Sequence, residues 1–391
     1  MFRTTYKLFD ILHHSSHVAL IKNPSFFGHG ARLISVNRVT CSSHQQPKPK
    51  SNVISDYGEE ERIIKYLTDP NVGQIQEKVN LEWKVIEKPD NLKSIGYYLK
   101  LSKFRLTSLV VLTTLAGYTM GCSQFDPIIA SASLIGTGLT SAAAASLNQF
   151  LEIPFDSQMM RTRNRPLVLG QLSSGRAFSF SLISGTAGLA TLAFFINPLT
   201  AALGAFNLVL YSFVYTPMKR ANIANTWVGS IVGAIPPIMG YTAATNMIDI
   251  PSIFLGLILY SWQFPHFNAL SWNIRHDYAR AGYRMMSVTN EDLCVRTALR
   301  HACLLTAYSC LMSTSYVSLT NYAFVLGSLP LNIYLIYLSW KFYQTPNATS
   351  SRKLFRYSLI HLPALIILML IFKSDRKDES IMRDGLVKTK T

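Results

Sequence analysis

Residues 127–167 read PIIASASLIGTGLTSAAAASLNQFLEIPFDSQMMRTRNRPL. The stretch 127–150 carries no charge and is long enough to cross a bilayer core, which takes about 20 apolar residues as a helix. It then ends on Glu152 and Asp156, followed by Arg161, Arg163 and Arg165. A bilayer-length run that closes on acids and arginines marks an integral membrane protein handling charge at one surface.

The rest of the chain agrees. Of 391 residues, 49% are hydrophobic and 15% charged, against about 25% charged in ordinary soluble domains. Such a composition excludes collagen, a disulfide scaffold and a disordered chain. Further bilayer-length segments lie near 104–122, 175–196, 198–216, 227–246, 251–270, 298–319, 322–340 and 355–372. The expected fold class is therefore an all-α membrane protein with nine transmembrane helices in a domain spanning 103–373. Several segments are rich in Gly, Ala and Ser, which suits close approach between helix backbones. The five cysteines include no C-x-x-C pair. Cys303 and Cys310 fall on one helical face and read as small buried thiols.

Residues 1–45 hold Arg3, Lys7, Lys22, Arg32 and Arg38 against one acid, Asp10, with many Ser and His. This resembles a mitochondrial transit peptide. Residues 46–102 read as a polar linker with one or two short helices, and 374–391 as a polar tail. Within the membrane domain the loops after helices two, four, six and eight carry fifteen Lys and Arg, and those after helices one, three, five and seven carry none. This asymmetry puts the even loops on the inside, the matrix face of the mitochondrial inner membrane. The net charge of +16 thus reads as topology and ligand binding in a lipid bilayer, with no nucleic acid as partner.

Chemistry gathers in those same loops. Asn148, Glu152 and Asp156 recur every fourth residue, so a helix would align them on one face. Three oxygen donors beside arginines suit Mg²⁺ shared with a phosphate-bearing substrate, because this ion commonly takes one or two carboxylates plus phosphates and water. Pro154 should kink or end the helix there. Taken alone, the group reads more readily as a solvated salt-bridging loop than as a metal site. Residues 261–286, SWQFPHFNALSWNIRHDYARAGYRMM, supply a second mouth on the same face, with Asp277 among Arg275, Arg280 and Arg284. Two such mouths could clamp one anion through metal ions, and Lys219 and Arg220 open from that side too.

These strings resemble a known family. NQFLEIPFDSQMMRTRNRPL at 148–167 is similar to the first Asp-rich motif, N-x-x-x-D-x-x-x-D, of the UbiA-like intramembrane prenyltransferases. RTRNRPL, YTPMKRANIANTWVGSIVGAIPPIMGY at 215–241, YSWQFPHFNALSW at 260–272 and HDYARAGYRMM at 276–286 resemble the family's haem O synthase branch. The similarity runs from about Leu99 to Phe372. It implies a nine-helix bundle around a central cavity, farnesyl diphosphate as donor, haem b as acceptor, Mg²⁺, and a product used by haem A synthesis and cytochrome oxidase assembly proteins. By position, Asn148, Glu152 and Asp156 occupy the first motif and Asp277 the second, as metal ligands. Glu152 stands where the family commonly has Asp, and Asn273 replaces the acid usual four residues before Asp277.

On this reading the catalytic group is Asn148, Asp156, Arg161, Arg165, Lys219 and Asp277. Arginine forks and a lysine point charge suit phosphate oxygens, and stabilising the departing diphosphate is electrostatic work. Arg163, Arg220, Arg275 and Tyr278 are expected to bind substrate. His266 is the expected haem contact with Asn268 supporting it, whereas His276, His301 and His361 read as hydrogen-bonded packing residues. Trp262, Phe264, Phe267 and Trp272 serve equally as cavity wall or interfacial aromatics. Two other functions fit part of this pattern: a prenyltransferase for an aromatic quinone precursor, which would share the acidic loops, and a transporter. A transporter would place ionisable groups near the midplane, and these lie at the mouths.

Overall fold

The computed structural model describes residues 91–374. The segment expected at 1–45, the linker as far as residue 90 and the tail beyond Ser374 lie outside the described residues. Within them every regular element is a helix, and the only β contact is an isolated bridge between Thr320 and Lys373. In chain order these are α1 (Asn91–Leu101), α2 (Phe104–Gly121), α3 (Pro127–Leu151), α4 (Ile153–Asp156), α5 (Ser174–Phe195) and α6 (Pro198–Val209). A π-helical turn, Leu210–Tyr215, leads into α7 (Thr216–Ala221). Then follow α8 (Asn225–Thr245), α9 (Ile250–Asn273), α10 (Arg275–Arg280), α11 (Met286–Thr289), α12 (Glu291–Leu311), α13 (Tyr322–Gln344) and α14 (Ala348–Ile371).

A helix covers most of each apolar segment expected from the sequence, but that expected at 298–319 ends at Leu311 and its last residues form turns. Five of them, Pro127–Leu151, Ser174–Phe195, Pro198–Ala221, Tyr322–Gln344 and Ala348–Ile371, are long and apolar enough to cross a membrane by length and composition. The protein is an all-helical membrane protein. Its outward faces carry bare hydrocarbon, as at Ile128, Phe194 and Ile360, which lipid tolerates and water does not.

Side chains written into the connections start the helices. Asp126 accepts the Ile128 amide ahead of α3 at 2.8 Å with Pro127 in the first turn, and Asn197 accepts the Thr200 amide ahead of α6 at 2.7 Å. Asp249 with Ser252, and Asn347 with Ser350, form reciprocal capping boxes on α9 and α14. Each satisfies amides that would otherwise be orphaned at a helix start.

The helices pack in two groups, α3, α5, α6 and α8 in one and α9, α12, α13 and α14 in the other. Contact of α8 with α9 joins the groups, and α2 lies on α8 and α3. The α2–α8 contact is backbone on backbone: a Cβ on Gly240 would run into the Thr114 carbonyl, and one on Gly117 into that of Pro237. Only glycine permits that approach. At the far end of α2, the Lys373 ammonium donates to the carbonyls of Thr119 and Cys122, where the helix leaves acceptors unpaired.

Of the two thiols expected to be buried, Cys310 is half-buried, and the fully buried cysteine is Cys294. Cys303 is exposed instead, because its position on α12 faces away from the neighbouring helices; helical spacing places a residue on a face but does not say which face is covered.

Candidate active site

Pro154 shapes the centre of the site. Without a backbone N–H it sits in the first turn of α4, so α3 stops at Leu151 and the chain re-enters a single helical turn after Glu152. The Asp156 amide still donates to the Glu152 carbonyl at 2.8 Å, so the two carboxylates stay stacked through the break. Both reach Arg165, Asp156 in direct hydrogen-bonded contact and Glu152 at 3.9 Å. Lys219 closes on Glu152 at 2.6 Å, and its ammonium lies 4.7 Å from the ring centre of Tyr215. Lys103 donates to the Asn148 amide oxygen at 2.9 Å, with the Tyr211 hydroxyl 3.5 Å away.

Three half-buried cations therefore surround two buried carboxylates. Burial works against the charge of Glu152, but Lys219, Lys103 and Arg165 hold its carboxyl below the usual carboxylate range. Burial pushes Asp156 above that range, and the neighbouring charge of Glu152 adds to the push against the pull of Arg165. Burial also lowers Lys103. The π turn adjoins this group: Pro217 has no N–H for the preceding turn and its ring crowds it, and the widened turn carries Tyr211 and Tyr215 side by side, ring centres 5.5 Å apart. Such turns recur at functional sites. Below Lys103 opens an apolar cleft walled by Leu106, Thr137, Ala144, Tyr211 and Met239, in which Lys103 is the only charged lining residue among those described.

A buried, net-positive cluster at the head of an apolar cleft suits an amphiphile with an anionic head. The family profile of the UbiA prenyltransferases matches residues 110–360. The chain belongs to the UbiA prenyltransferase family. Over 278 residues it is 52% identical to "Protoheme IX farnesyltransferase, mitochondrial" of Homo sapiens, covering 71% of this chain and 62% of that protein. The chain thus spans less than two thirds of the length of that relative. The Saccharomyces cerevisiae protein of the same name is 34% identical over 394 residues, covering 90% of this chain and 82% of its own. Among solved structures, that of a digeranylgeranylglyceryl phosphate synthase superposes with a TM-score of 0.62 at 15% identity, over 72% of this chain and 98% of that one. At that identity the likeness speaks for the fold.

In this UbiA-family chain Asn148, Glu152, Asp156, Arg165 and Lys219 form one contiguous group. Asp277 stands apart from it. Its Oδ1 accepts the Met160 amide at 2.9 Å and its Oδ2 the Arg161 amide at 3.2 Å, with Arg280 3.5 Å from Oδ1. The carboxylate clasps the loop after α4 to α10. Arg161 reaches the Tyr278 hydroxyl at 3.4 Å, and Arg163 is exposed. Arg220 lies over the Phe155 ring at 4.2 Å, and Arg275 over Trp272 at 3.9 Å while pairing with Glu291 at 3.2 Å.

The residues expected to meet haem are divided. His266 bonds the Ser358 hydroxyl at 2.8 Å, stacks on Trp262 at 4.5 Å and meets Phe355, so it sits between α9 and α14. Asn268, two residues on and therefore on another face, donates to the Cys294 carbonyl at 2.8 Å and does not support His266. Phe264 and Trp272 are buried in helix packing. His361 bonds Asn332 at 2.9 Å and His301 bonds Ser261 at 3.3 Å, both as packing residues, whereas His276 is exposed. Lys103 and Tyr283 were missed in the sequence. The one local signal was the bare cation at the start of the first apolar segment.

Proposed function

We propose that the protein transfers the farnesyl group of farnesyl diphosphate to a vinyl carbon of haem b, giving haem O. The observation that carries this reading is 52% identity with the human protein named for protohaem IX farnesylation, in a chain whose buried cations and carboxylates have the chemistry a diphosphate donor requires. The quinone-precursor alternative would share those charges, but the similar human and Saccharomyces cerevisiae proteins are both named for protohaem IX farnesylation, and the transporter reading is disfavoured by the position of the charges at one end of the bundle.

Mg²⁺ is tested against the donor set. Among the described residues no three His, Cys, Asp or Glu side chains gather into a metal cage. Glu152 and Asp156 nevertheless converge on one cation, the Arg165 guanidinium. Two convergent carboxylates fit an ion that takes its remaining ligands from phosphates and water, so Glu152 and Asp156 would hold it, with Asn148 alongside. When bound, the ion would supply positive charge to the departing diphosphate.

The chain's own groups do the rest. Lys219, Arg165 and Lys103 neutralise the diphosphate, Arg165 with a planar fork and the lysines as point charges. The cleft below Lys103 takes the prenyl tail and keeps water from the allylic cation as its C–O bond breaks. Addition to the outer vinyl carbon moves the positive charge to the carbon attached to the pyrrole, where the macrocycle delocalises it. Water then adds there and gives up a proton to the solvent, and the product carries a hydroxyethylfarnesyl chain. Trp262, His266 and Phe355 offer stacked flat rings that suit a macrocycle, with Arg161, Arg163, Arg220, Arg275 and Tyr278 available to its carboxylates at the same end. All nine long helices would cross the bilayer. In the mitochondrial inner membrane the basic loops, and with them the site, would face the matrix, delivering product to haem A synthesis and oxidase assembly proteins.

The test offers purified full-length protein farnesyl diphosphate with either haem b or 4-hydroxybenzoate in ¹⁸O-labelled water and weighs the products. Haem O carrying one ¹⁸O is expected. A prenylated benzoate with no haem product would replace the acceptor, and an unlabelled hydroxyl would overturn the capture step.

A further inference from the structure

The turn after α10 carries a side chain that the mechanism above leaves unused. Gly282, in a left-handed conformation at φ 72, reverses the chain, and the Tyr283 amide then donates to the Tyr278 carbonyl at 3.0 Å. The next amide, of Arg284, donates to the Lys219 carbonyl at 2.7 Å, while the Arg284 carbonyl accepts from Asn225 at 2.9 Å. Tyr283 is thus fixed by its backbone to the element that bears Lys219. Its ring packs edge-on against Phe155, centres 6.1 Å apart, and against Tyr278 at 5.9 Å. Phe155 is the residue before Asp156 and three after Glu152, so the phenol lies beneath the carboxylate turn.

Tyr283 is only 4% exposed, and its hydroxyl has no hydrogen-bond partner in the protein. Buried hydroxyls are nearly always paired, because an unpaired one forfeits its hydration and gains nothing in return. The charges that act on it are those of Glu152, Lys219, Asp156 and Arg165. Burial, reinforced by the Glu152 charge, pushes the phenol well above its ordinary range, so the oxygen keeps its proton. The carboxylates nearby are already engaged by Arg165 and Lys219. A fixed, protonated, unpaired O–H beside a net-positive cluster is a donor suited to an incoming oxyanion, and it gives up no existing hydrogen bond on binding one.

We propose that the Tyr283 hydroxyl is a diphosphate-binding donor of this site, giving a hydrogen bond to an oxygen of the prenyl donor's diphosphate that strengthens as the leaving group gains charge. The proton stays on the phenol throughout. This rests on the prenyl-diphosphate reading above and is independent of which acceptor is used.

Tyr283→Phe removes the oxygen and nothing else. In full-length protein in detergent, three quantities decide: the melting temperature without ligands, the affinity for inorganic diphosphate with Mg²⁺ and for the unreactive farnesyl thiodiphosphate, and turnover. An unchanged or raised melting temperature is expected, because no bond is lost in the ligand-free protein. Affinity for both diphosphates should fall about tenfold and kcat about 100-fold, the scale seen when one transition-state donor is deleted, with haem b affinity unchanged. Unaltered diphosphate affinity and turnover would overturn the proposal. So would a lowered melting temperature with haem and diphosphate affinities falling together, which would make the hydroxyl structural. If haem b proves not to be the acceptor, the diphosphate measurements still decide for or against Tyr283.

Discussion

Replacing Asp277 by Asn separates two roles that the sequence could not tell apart. The carboxylate receives two backbone amides, Met160 at 2.9 Å and Arg161 at 3.2 Å, and a hydrogen bond to a charged acceptor contributes about 1.5–3 kcal/mol. An asparagine amide keeps one acceptor oxygen and turns an NH₂ toward the other N–H. One charged bond is lost, the survivor becomes neutral, and the loop after α4 should be held less tightly by about 2–3 kcal/mol, or roughly 30- to 150-fold in its detachment equilibrium. Because that loop carries Arg161 and Arg165 into the site, turnover should fall by a similar factor. Hydrogen exchange at Met160 and Arg161 reads the detachment, and turnover against Mg²⁺ concentration reads the metal. Faster exchange with an unchanged Mg²⁺ half-saturation is expected. A several-fold higher Mg²⁺ requirement with exchange unaltered would refute the clasp and make Asp277 a metal ligand.

Lys103→Met should weaken binding of farnesyl thiodiphosphate about tenfold while Lys103→Arg retains most of it, since one phosphate contact is a matter of charge more than shape; equal affinities in both variants would remove Lys103 from the site. Gly240→Ala should destabilise the protein by about 1–3 kcal/mol through overpacking against the Thr114 carbonyl, seen as an earlier thermal transition in detergent, and an unshifted transition would contradict the backbone contact of α2 with α8. For orientation, a cysteine placed within 273–296 should be shielded from an impermeant thiol reagent in sealed mitoplasts, and one at Asn246 labelled. The reverse pattern would turn the bundle over.

The helices were legible because lipid leaves the sequence little freedom: 127–150 was expected and Pro127–Leu151 is found, and 227–246 became Asn225–Thr245. Where a helix extends into water the apolar run falls short of it. The segment expected from 298 starts at Glu291, because Asn290 caps a polar first turn, and that expected from 355 starts at Ala348, where Arg352, Lys353 and Arg356 continue the helix past the hydrocarbon. Within the site, Glu152 and Asp156 were legible because their spacing is local. Lys103 meets Asn148 across 45 residues, and Tyr283 lies far along the chain from Phe155, so no local pattern could pair either with the carboxylate turn. The partners of Asp277 are backbone amides, which leave no trace in residue types.

Arg165 sits where both carboxylates point, and this has a consequence for the order in which ligands arrive. A divalent ion coming alone must displace a guanidinium already hydrogen-bonded to Asp156, and gains little by exchanging one cation for another. An ion arriving with a diphosphate offers Arg165 a new partner at the moment it takes the old one. Metal and donor are then thermodynamically coupled, and by linkage whatever factor one adds to the affinity of the other is returned in full. On the proposed prenyl-transfer reading, a site built this way would ignore free Mg²⁺ and respond to the product of two concentrations, so that flux would fall steeply when the prenyl donor and the ion ran short together.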